Sequence, residues 1–303
     1  MDNLIFFLYR ISTEGHHKFD FIHRICANIL VYLLPICRYN CESEITKESI
    51  IISLTTFPKR INNLWKVIET LMHQNSEKKI CIELWLSKEE FKDGKIPFKL
   101  KKLERKGLNI IFVNGNLKPH KKYYYAFQKH PENIIITVDD DVLYPLSIVH
   151  TLVQAQKDVP HCICCNRGRM MSRNVKGEVE DYSKWELLSL STKRTISPDI
   201  LPTGIGGVLY PPHSYDLSIF DEPAIKSTCL LGDDLWLNFM CRLNGFSVVH
   251  TCNKINLYSI ISSQKQALFK TNIEFGNTEQ IKKISDWANI KFGVDFFLRK
   301  RVV

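Results

Sequence analysis

The run Ile134-Ile135-Ile136-Thr137-Val138-Asp139-Asp140-Asp141 constrains this chain more than any other stretch. Its first part is apolar and rich in β-branched residues, the composition of a strand in a sheet covered on both faces. Three acids then close it abruptly. In open α/β sheets, ligands bind beyond the carboxyl ends of the strands, so the acids stand where a ligand is expected. Carboxylates crowded together repel each other unless a cation neutralises them. Hard divalent cations take oxygen ligands and bridge phosphate groups. The run therefore predicts a metal–diphosphate site at the rim of a parallel sheet.

The rest of the chain has a matching rhythm. Further strands are expected at Ile50 to Leu54, Ile80 to Leu86 and Asn109 to Val113, with the acid-tipped strand over Ile134 to Val138. Helical periodicity lies between them, over Arg60 to Met72 and Tyr123 to Lys129, and a lysine-rich helical connection is broken at Pro97. Strands alternating with helices in this way argue for an α/β fold with a doubly wound, mostly parallel central sheet. Beyond the acids, Pro145 is expected to open a helix through Gln156, and Cys162 to Cys165 to form a strand. Residues 166 to 198 are polar and mixed around Trp185, and Leu201 to Pro212 is a Gly- and Pro-rich turn region around an apolar strand. A helix from Asp233 to Leu243, a strand from Ser247 to His250 and a helix from Thr278 to Ala288 complete the reading. Three segments follow: a helical leader over 1–46, the α/β domain over 47–258 and a short appendage over 259–303.

The 303 residues carry a formal net charge of +9. Nucleic acid, anionic lipid or a phosphorylated substrate could each answer such a charge. The basic residues are scattered, and Lys88 to Lys106 is interleaved with Glu89, Glu90, Asp93 and Glu104, as on a solvated helical face. No zinc-finger spacing, RNP-type aromatic motif or basic zipper occurs, which disfavours nucleic acid. The ten cysteines include no CxxC pair, and Cys162-x-Cys164-Cys165 is too tight for a zinc clamp. Reduced, buried thiols are expected instead, which favours a reducing, cytoplasmic setting. Met1 to Arg10 carries Asp2 and lacks the cationic start of a signal peptide. Ile25 to Cys37 is apolar and flanked by Arg24 and Arg38, shorter than the roughly 20 residues that span a bilayer. It reads either as a core helix capping the domain, the preferred reading, or as an interfacial helix. The aromatic stretch Leu4 to Tyr9 and the basic tail Arg299-Lys300-Arg301 keep an anionic membrane surface among the expected partners, with the protein peripheral on its inner face.

Three elements carry candidate chemistry. In an extended strand Asp139 and Asp141 share a face, so one would hold a metal directly and the other hold it through water or bind a ribose hydroxyl. Asp140 would point elsewhere and serve geometry. Gly232-Asp233-Asp234-Leu235-Trp236 sets two carboxylates at a helix start, about 100° apart around the axis; one would cap the helix amides and the other face a cleft as a general base. Both could instead merely complement the helix dipole. Thr203-Gly204-Ile205-Gly206-Gly207 lets backbone approach a ligand closely, or is a tight structural turn. Countercharge for a diphosphate is available from Lys118, His120, Lys121 and Lys122 before the acid-tipped strand and from Arg60 after the first strand.

Together these pieces resemble the GT-A class of nucleotide-sugar glycosyltransferases, in particular bacterial enzymes of surface polysaccharide synthesis related to glycosyltransferase family 2. The resemblance rests on SLTTFPKR (53–60), KPHKKYYYAF (118–127), IIITVDDDVLYP (134–145), TGIGGVLYPP (203–212) and GDDLWL (232–237) in that order, within roughly 48–258. It implies a single Rossmann-like GT-A domain, a nucleoside-diphosphate sugar donor with UDP-sugars foremost, a Mn²⁺ or Mg²⁺ ion, and a glycan or lipid-linked acceptor. By position, Thr55, Thr56 and Arg60 match the loop that touches the nucleotide. Asp139 and Asp141 match the metal-binding acids, with Asp139 and Asp140 also facing the donor. Lys121 or Lys122 would offset the diphosphate charge, and Gly206 and Gly207 match the loop under the donor sugar. Asp234 matches the base of inverting members, with Asp233 second, and His250 is a further candidate metal ligand. One departure stands out: Leu86-Ser87-Lys88 follows the second strand, where many members carry an acid that reads the base. A nucleotidyltransferase of sugar phosphates shares this fold class, but Thr55-Thr56-Phe57-Pro58 lacks the glycines that hold a triphosphate. A catalytically silent scaffold is the third reading.

Overall fold

The alternation of side chains along each central strand builds the molecule. In the computed structural model, which describes residues 1–14, 20–177, 179–188, 194–252, 255–261 and 276–294, the first central strand is β1 (Ile50–Thr55). Its Ile50, Ile52 and Leu54 join one apolar core, while Ile51 joins a second core on the opposite face. The strand is therefore covered on both sides, as its unbroken apolar composition requires.

In chain order, helices α1 (Asp2–Thr13) and α2 (Asp20–Leu30) precede β1. There follow α3 (Ile61–Met72), β2 (Ile80–Ser87), α4 (Phe98–Glu104), β3 (Leu108–Val113), α5 (Lys121–Lys129) and β4 (Ile134–Thr137). Then come β5 (Val142–Leu143), α6 (Ile148–Asp158), β6 (Cys162–Cys165), β7 (Gly168–Met170), β8 (Glu186–Leu187), β9 (Thr195–Ser197), β10 (Ile200–Pro202) and β11 (Val208–Tyr210). The chain continues through α7 (Glu222–Thr228), α8 (Asp233–Leu243), β12 (Ser247–His250), β13 (Tyr258–Ser259) and α9 (Asn277–Phe292).

Eight strands form the main sheet in the order β3-β2-β1-β4-β11-β6-β12-β9. β3, β2, β1 and β4 run parallel, as do β6 and β12. β11 lies antiparallel between β4 and β6, and β9 is an antiparallel edge. The expected mostly parallel α/β sheet is present. α3, α4 and α6 pack on one face together with α1 and α2, and α5, α7, α8 and α9 pack on the other. The order turns back at β1, which has β2 on one side and β4 on the other. Register there pairs Ile50 with Ile134 and Ser53 with Thr137, so the carboxyl ends of β1 and β4 lie level. This is the switch point where α/β sheets open a crevice.

Several boundaries differ from expectation. Pro145 does not open a helix; its carbonyl accepts from Gln74 Nε2 at 2.7 Å, and α6 begins at Ile148. Pro97 starts the short α4 rather than breaking a helix, because its fixed φ suits a helix entrance and it needs no amide donor. The segment Ile25 to Cys37 is not one helix: α2 stops at Leu30 and a 3₁₀ turn over Leu34–Ile36 carries Pro35. The leader nonetheless packs into the main core through Ile5, Tyr9, Ala27, Val31, Leu34 and Cys37. The ten cysteines are free thiols. The basic tail Arg299-Lys300-Arg301 lies outside the described residues.

Candidate active site

Five carboxylates converge at the β1–β4 switch point. Asp139, Asp140 and Asp141 follow β4 directly, and Asp233 and Asp234 form the first turn of α8. Folding brings basic groups among them. Arg60, at the start of α3, donates through Nη1 to Asp140 Oδ1 at 2.5 Å and reaches Asp141 Oδ2 through Nη2 at 3.0 Å. Thr56 Oγ1 donates to the other oxygen of Asp140 at 2.5 Å. Asp140 is thereby buried with both oxygens engaged. Lys122, 4% exposed in its side chain, lies between Asp139 Oδ1 at 2.9 Å and Asp233 Oδ2 at 2.7 Å. Burial opposes its charge, but Asp139, Asp233 and Asp234 together hold the ammonium well above its usual range.

Asp234 has the least compensation. One oxygen accepts from the Gly204 amide at 3.1 Å, and Oδ1 is buried without a hydrogen-bond partner. Burial, and next the charge of Asp233, push its carboxyl up to about 7. Asp141 is likewise raised to about 6, by burial and then by Asp139, against the pull of Arg60. Neither Asp233 nor Asp234 caps α8; its N-cap is Gly232, with no side-chain cap. The expectation that one acid would cap the helix is corrected, since Lys122 and the Gly204 amide hold these carboxylates instead.

The glycine loop closes the cluster. A methyl group at Gly204 would lie 2.8 Å from both Asp139 Oδ1 and Lys122 Nζ and 3.3 Å from Asp234 Oδ1. Gly204, not Gly206 or Gly207, is thus the glycine that faces the acids. Gly206 abuts Arg167, and Gly207, with φ of +75°, faces Ile148, Leu152 and Val138. Tyr144 Oη accepts from the Asp139 amide at 2.8 Å and so fixes the loop after β4.

Other expected residues lie outside the cluster. Thr55 Oγ1 donates to the Trp85 carbonyl at 2.7 Å, within the sheet. Lys121 is buried against Glu90 at 3.0 Å and Asn116 at 2.8 Å, and Lys118 also pairs with Glu90. His120 contacts Tyr123 Oη and the Cys229 carbonyl, and burial lowers its pKa to about 4, so it stays neutral. His250 is buried with Nε2 at 3.1 Å from the Asn166 carbonyl, a packed histidine rather than a neighbour of the acids. Sequence reasoning missed Gly204, Tyr144 and Arg167. The glycine run pointed to the first, but nothing in it says which glycine meets the carboxylates.

Among the described residues, no three His, Cys, Asp or Glu side chains gather around one metal position. A Mg²⁺-like ion needs only one or two carboxylates when phosphate and water complete its shell. Asp139 engages Lys122 through Oδ1 and Asp141 engages Arg60 through Oδ2, which leaves Asp139 Oδ2 and Asp141 Oδ1 for a ligand. When ionised, the five acids exceed their ion-paired cations Arg60 and Lys122 by three charges. The residues therefore fit a hard divalent ion. A separate surface depression of about 440 Å³ runs along edge strand β3, lined by Ser43, Glu104, Asn109 and Lys129 among others, and contains none of these acids.

No protein-family model matches the sequence, and no curated protein matches it. Among solved structures, the chain is similar to a mannosyltransferase from Pyrobaculum calidifontis in complex with GDP-mannose and Mn²⁺, with a TM-score of 0.49 and 8% identity over 94% of this chain and 76% of that one. It is also similar to a UTP-bound UGPase from Acinetobacter baumannii, with a TM-score of 0.42 and 8% identity over 80% of this chain and 94% of that one. A third is a CMP:2-keto-3-deoxy-manno-octonic acid synthetase complexed with CTP, with a TM-score of 0.39 and 10% identity over 66% and 88% of the two chains.

Proposed function

We propose that the chain is a metal-dependent, inverting glycosyltransferase that moves a sugar from a nucleoside-diphosphate sugar, a UDP-sugar foremost, to a hydroxyl of a glycan or lipid-linked acceptor in surface polysaccharide synthesis. The observation that carries the reading is Asp234: a half-buried residue at a helix start whose Oδ1 is buried and unpartnered, beside the Asp139 end of the triple-aspartate loop. A carboxylate with a pKa raised to about 7 is suited to general-base work near neutral pH. In the proposed reaction the acceptor oxygen attacks the anomeric carbon from the face opposite the diphosphate. The bond from that carbon to the diphosphate oxygen breaks, and the acceptor proton passes to Asp234 Oδ1. Lys122 stabilises the charge that grows on the leaving diphosphate. Asp139 and Asp141 would hold a Mn²⁺ or Mg²⁺ ion, which supplies Lewis-acid neutralisation of that diphosphate. Arg60 and Thr56 keep Asp140, and through it the loop, in place.

A membrane surface belongs to the same proposal. No helix among the described residues is long and apolar enough to cross a membrane. Yet among the described residues eleven of the eighteen exposed large hydrophobic residues fall within residues 1–36, including Leu4, Phe7, Ile29 and Ile36. Exposed Phe98 adjoins Lys99, whose ammonium lies 3.8 Å from the Trp65 ring centre and 5.7 Å from that of Tyr32. Apolar side chains rimmed by lysine on a cationic protein suit an anionic bilayer surface, where lipid-linked acceptors reside.

Calorimetry with UDP, GDP and CMP, with and without Mn²⁺, followed by a hydrolysis panel of nucleotide sugars, tests the reading. Metal-dependent nucleotide binding and donor hydrolysis are expected, and Asp141→Asn should abolish the hydrolysis with the circular dichroism unchanged. Full activity in Asp141→Asn removes the assigned role. Pyrophosphate release from a nucleoside triphosphate and a sugar phosphate would instead identify a nucleotidyltransferase, and no nucleotide binding at all a silent scaffold.

A further inference from the structure

Arg167 and Arg169 stand two residues apart at and just before β7, so their side chains leave on one face of the extended chain. Arg167 is held by the glycine loop: its carbonyl accepts from the Thr203 amide at 3.0 Å and its Nη1 donates to Thr203 Oγ1, also at 3.0 Å. Arg169 lies over the Tyr182 ring at 5.1 Å and donates to the Trp185 carbonyl at 2.8 Å. Neither guanidinium has a carboxylate partner among the described residues. Arg60, Lys121, Lys122, Arg173 and Arg242 by contrast each pair with an acid, while buried Lys66 lies over the Tyr32 and Trp65 rings. Arg169 Nε is also buried without a partner. Burial, and next the charge of Arg169, lower the pKa of Arg167, as expected where two partly buried cations stand close together. Such a pair is costly unless an anion completes it.

Its position says which anion. Arg167 bonds Thr203, the neighbour of Gly204, whose amide donates to Asp234, so the pair stands beside the loop that holds the general base. The opposite end of the cluster, at Asp141, is clamped by Arg60. We infer that Arg167 and Arg169 form an oxyanion-binding subsite for the acceptor, whose carboxylate or phosphate they grip so that its hydroxyl lies over Asp234. This rests on the proposed glycosyl transfer and narrows its acceptor to an anionic class. The oxyanion has two sources, the carboxylate of an acidic sugar or the phosphate that joins a glycan to lipid. Guanidinium forks suit both through paired N–H donors.

The test uses the full chain, alone and loaded with UDP and Mn²⁺. Methyl glucoside, methyl glucuronide and methyl glucoside 6-phosphate serve as neutral, carboxylate and phosphate probes in calorimetric titrations. At least one anionic probe should bind tenfold or more tightly than the neutral one, and which of them does so identifies the source. Arg169→Gln, and independently Arg167→Gln, should erase that preference while the Kd for UDP stays within twofold. Equal binding of charged and neutral probes overturns the subsite. So does an Arg169→Gln variant that loses UDP affinity as much as probe affinity, because the arginines would then serve the donor. A protein that prefers the anionic probes but binds no UDP keeps the arginine subsite as an anion site and overturns the nucleotide-sugar reading instead.

Discussion

Asp234 concentrates the chemistry of this site in one side chain, and its titration is the sharpest quantity to measure. Its carboxyl is raised to about 7 by burial and by Asp233. If the ionised form accepts the acceptor proton, kcat/KM falls tenfold per unit as pH drops below about 7, which a pH–rate profile of sugar transfer reads directly. A profile flat from pH 5 to 8 removes Asp234 as base. Stability changes in the opposite sense. The folded pKa lies above the unfolded value, so the native state binds more protons between about 4 and 7, and stability falls as pH rises through that window. Gly204 gives a second residue-scale prediction. Gly204→Ala sets a methyl group 2.8 Å from Asp139 Oδ1 and Lys122 Nζ. Lys122 or the loop must shift, and transfer should fall by at least about tenfold, a shift of about an ångström being enough to cost that much. The same change at Gly94, where nothing lies within 4 Å but φ is +60°, serves as the strained but remote control.

At the scale of elements, Ser53 ties three of them together. Its hydroxyl donates to the Lys122 carbonyl of α5 and accepts from Trp85 Nε1 of β2 at 2.9 Å. Ser53→Ala leaves the Trp85 indole N–H unpaired and takes the Ser53 donor from the Lys122 carbonyl, a loss of about 1–3 kcal/mol. Urea unfolding should show a lower midpoint at unchanged slope. Because α5 carries Lys122, the variant should also lose transfer rate beyond what its unfolded fraction explains. The element-level reading of the sequence was strongest where periodicity ran long: β1, α3, β2, β3, α8 and β12 lie within a residue or two of expectation. It was weakest over residues 166–198, where β7, β8 and β9 are two or three residues long and too short to display a period. Arg167 and Arg169 were hidden in that stretch for this reason.

For the whole molecule, the leader is built into the core. One side of α1 and α2 enters the main core, and Tyr9 Oη donates to the Tyr144 carbonyl at 3.2 Å. Tyr144 in turn holds the Asp139 amide, so the leader braces the acid loop from behind. β13 braces it from another side, pairing with β5, and the Ile260 amide donates to the Asp141 carbonyl. Deleting residues 1–40 would therefore remove core as well as surface. Point changes separate the two: Phe7→Glu with Ile36→Glu should abolish co-flotation with phosphatidylglycerol vesicles at unchanged Tm. Flotation that persists in this variant rules out the leader as the membrane contact.

The amino-acid order by itself determined the layered α/β architecture and the acids at a strand end, because both follow from local periodicity and from where an apolar run stops. Only the tertiary structure decided which cation meets which acid. Lys121 and Lys122 are adjacent and chemically alike, yet one turns to Glu90 and the other to Asp139 and Asp233. Gly204 faces the carboxylates because antiparallel β11 is inserted between β4 and β6, which carries the glycine loop to the crevice. Such pairings join residues tens of positions apart. They depend on strand order and side-chain direction in space, and neither leaves a period in the sequence.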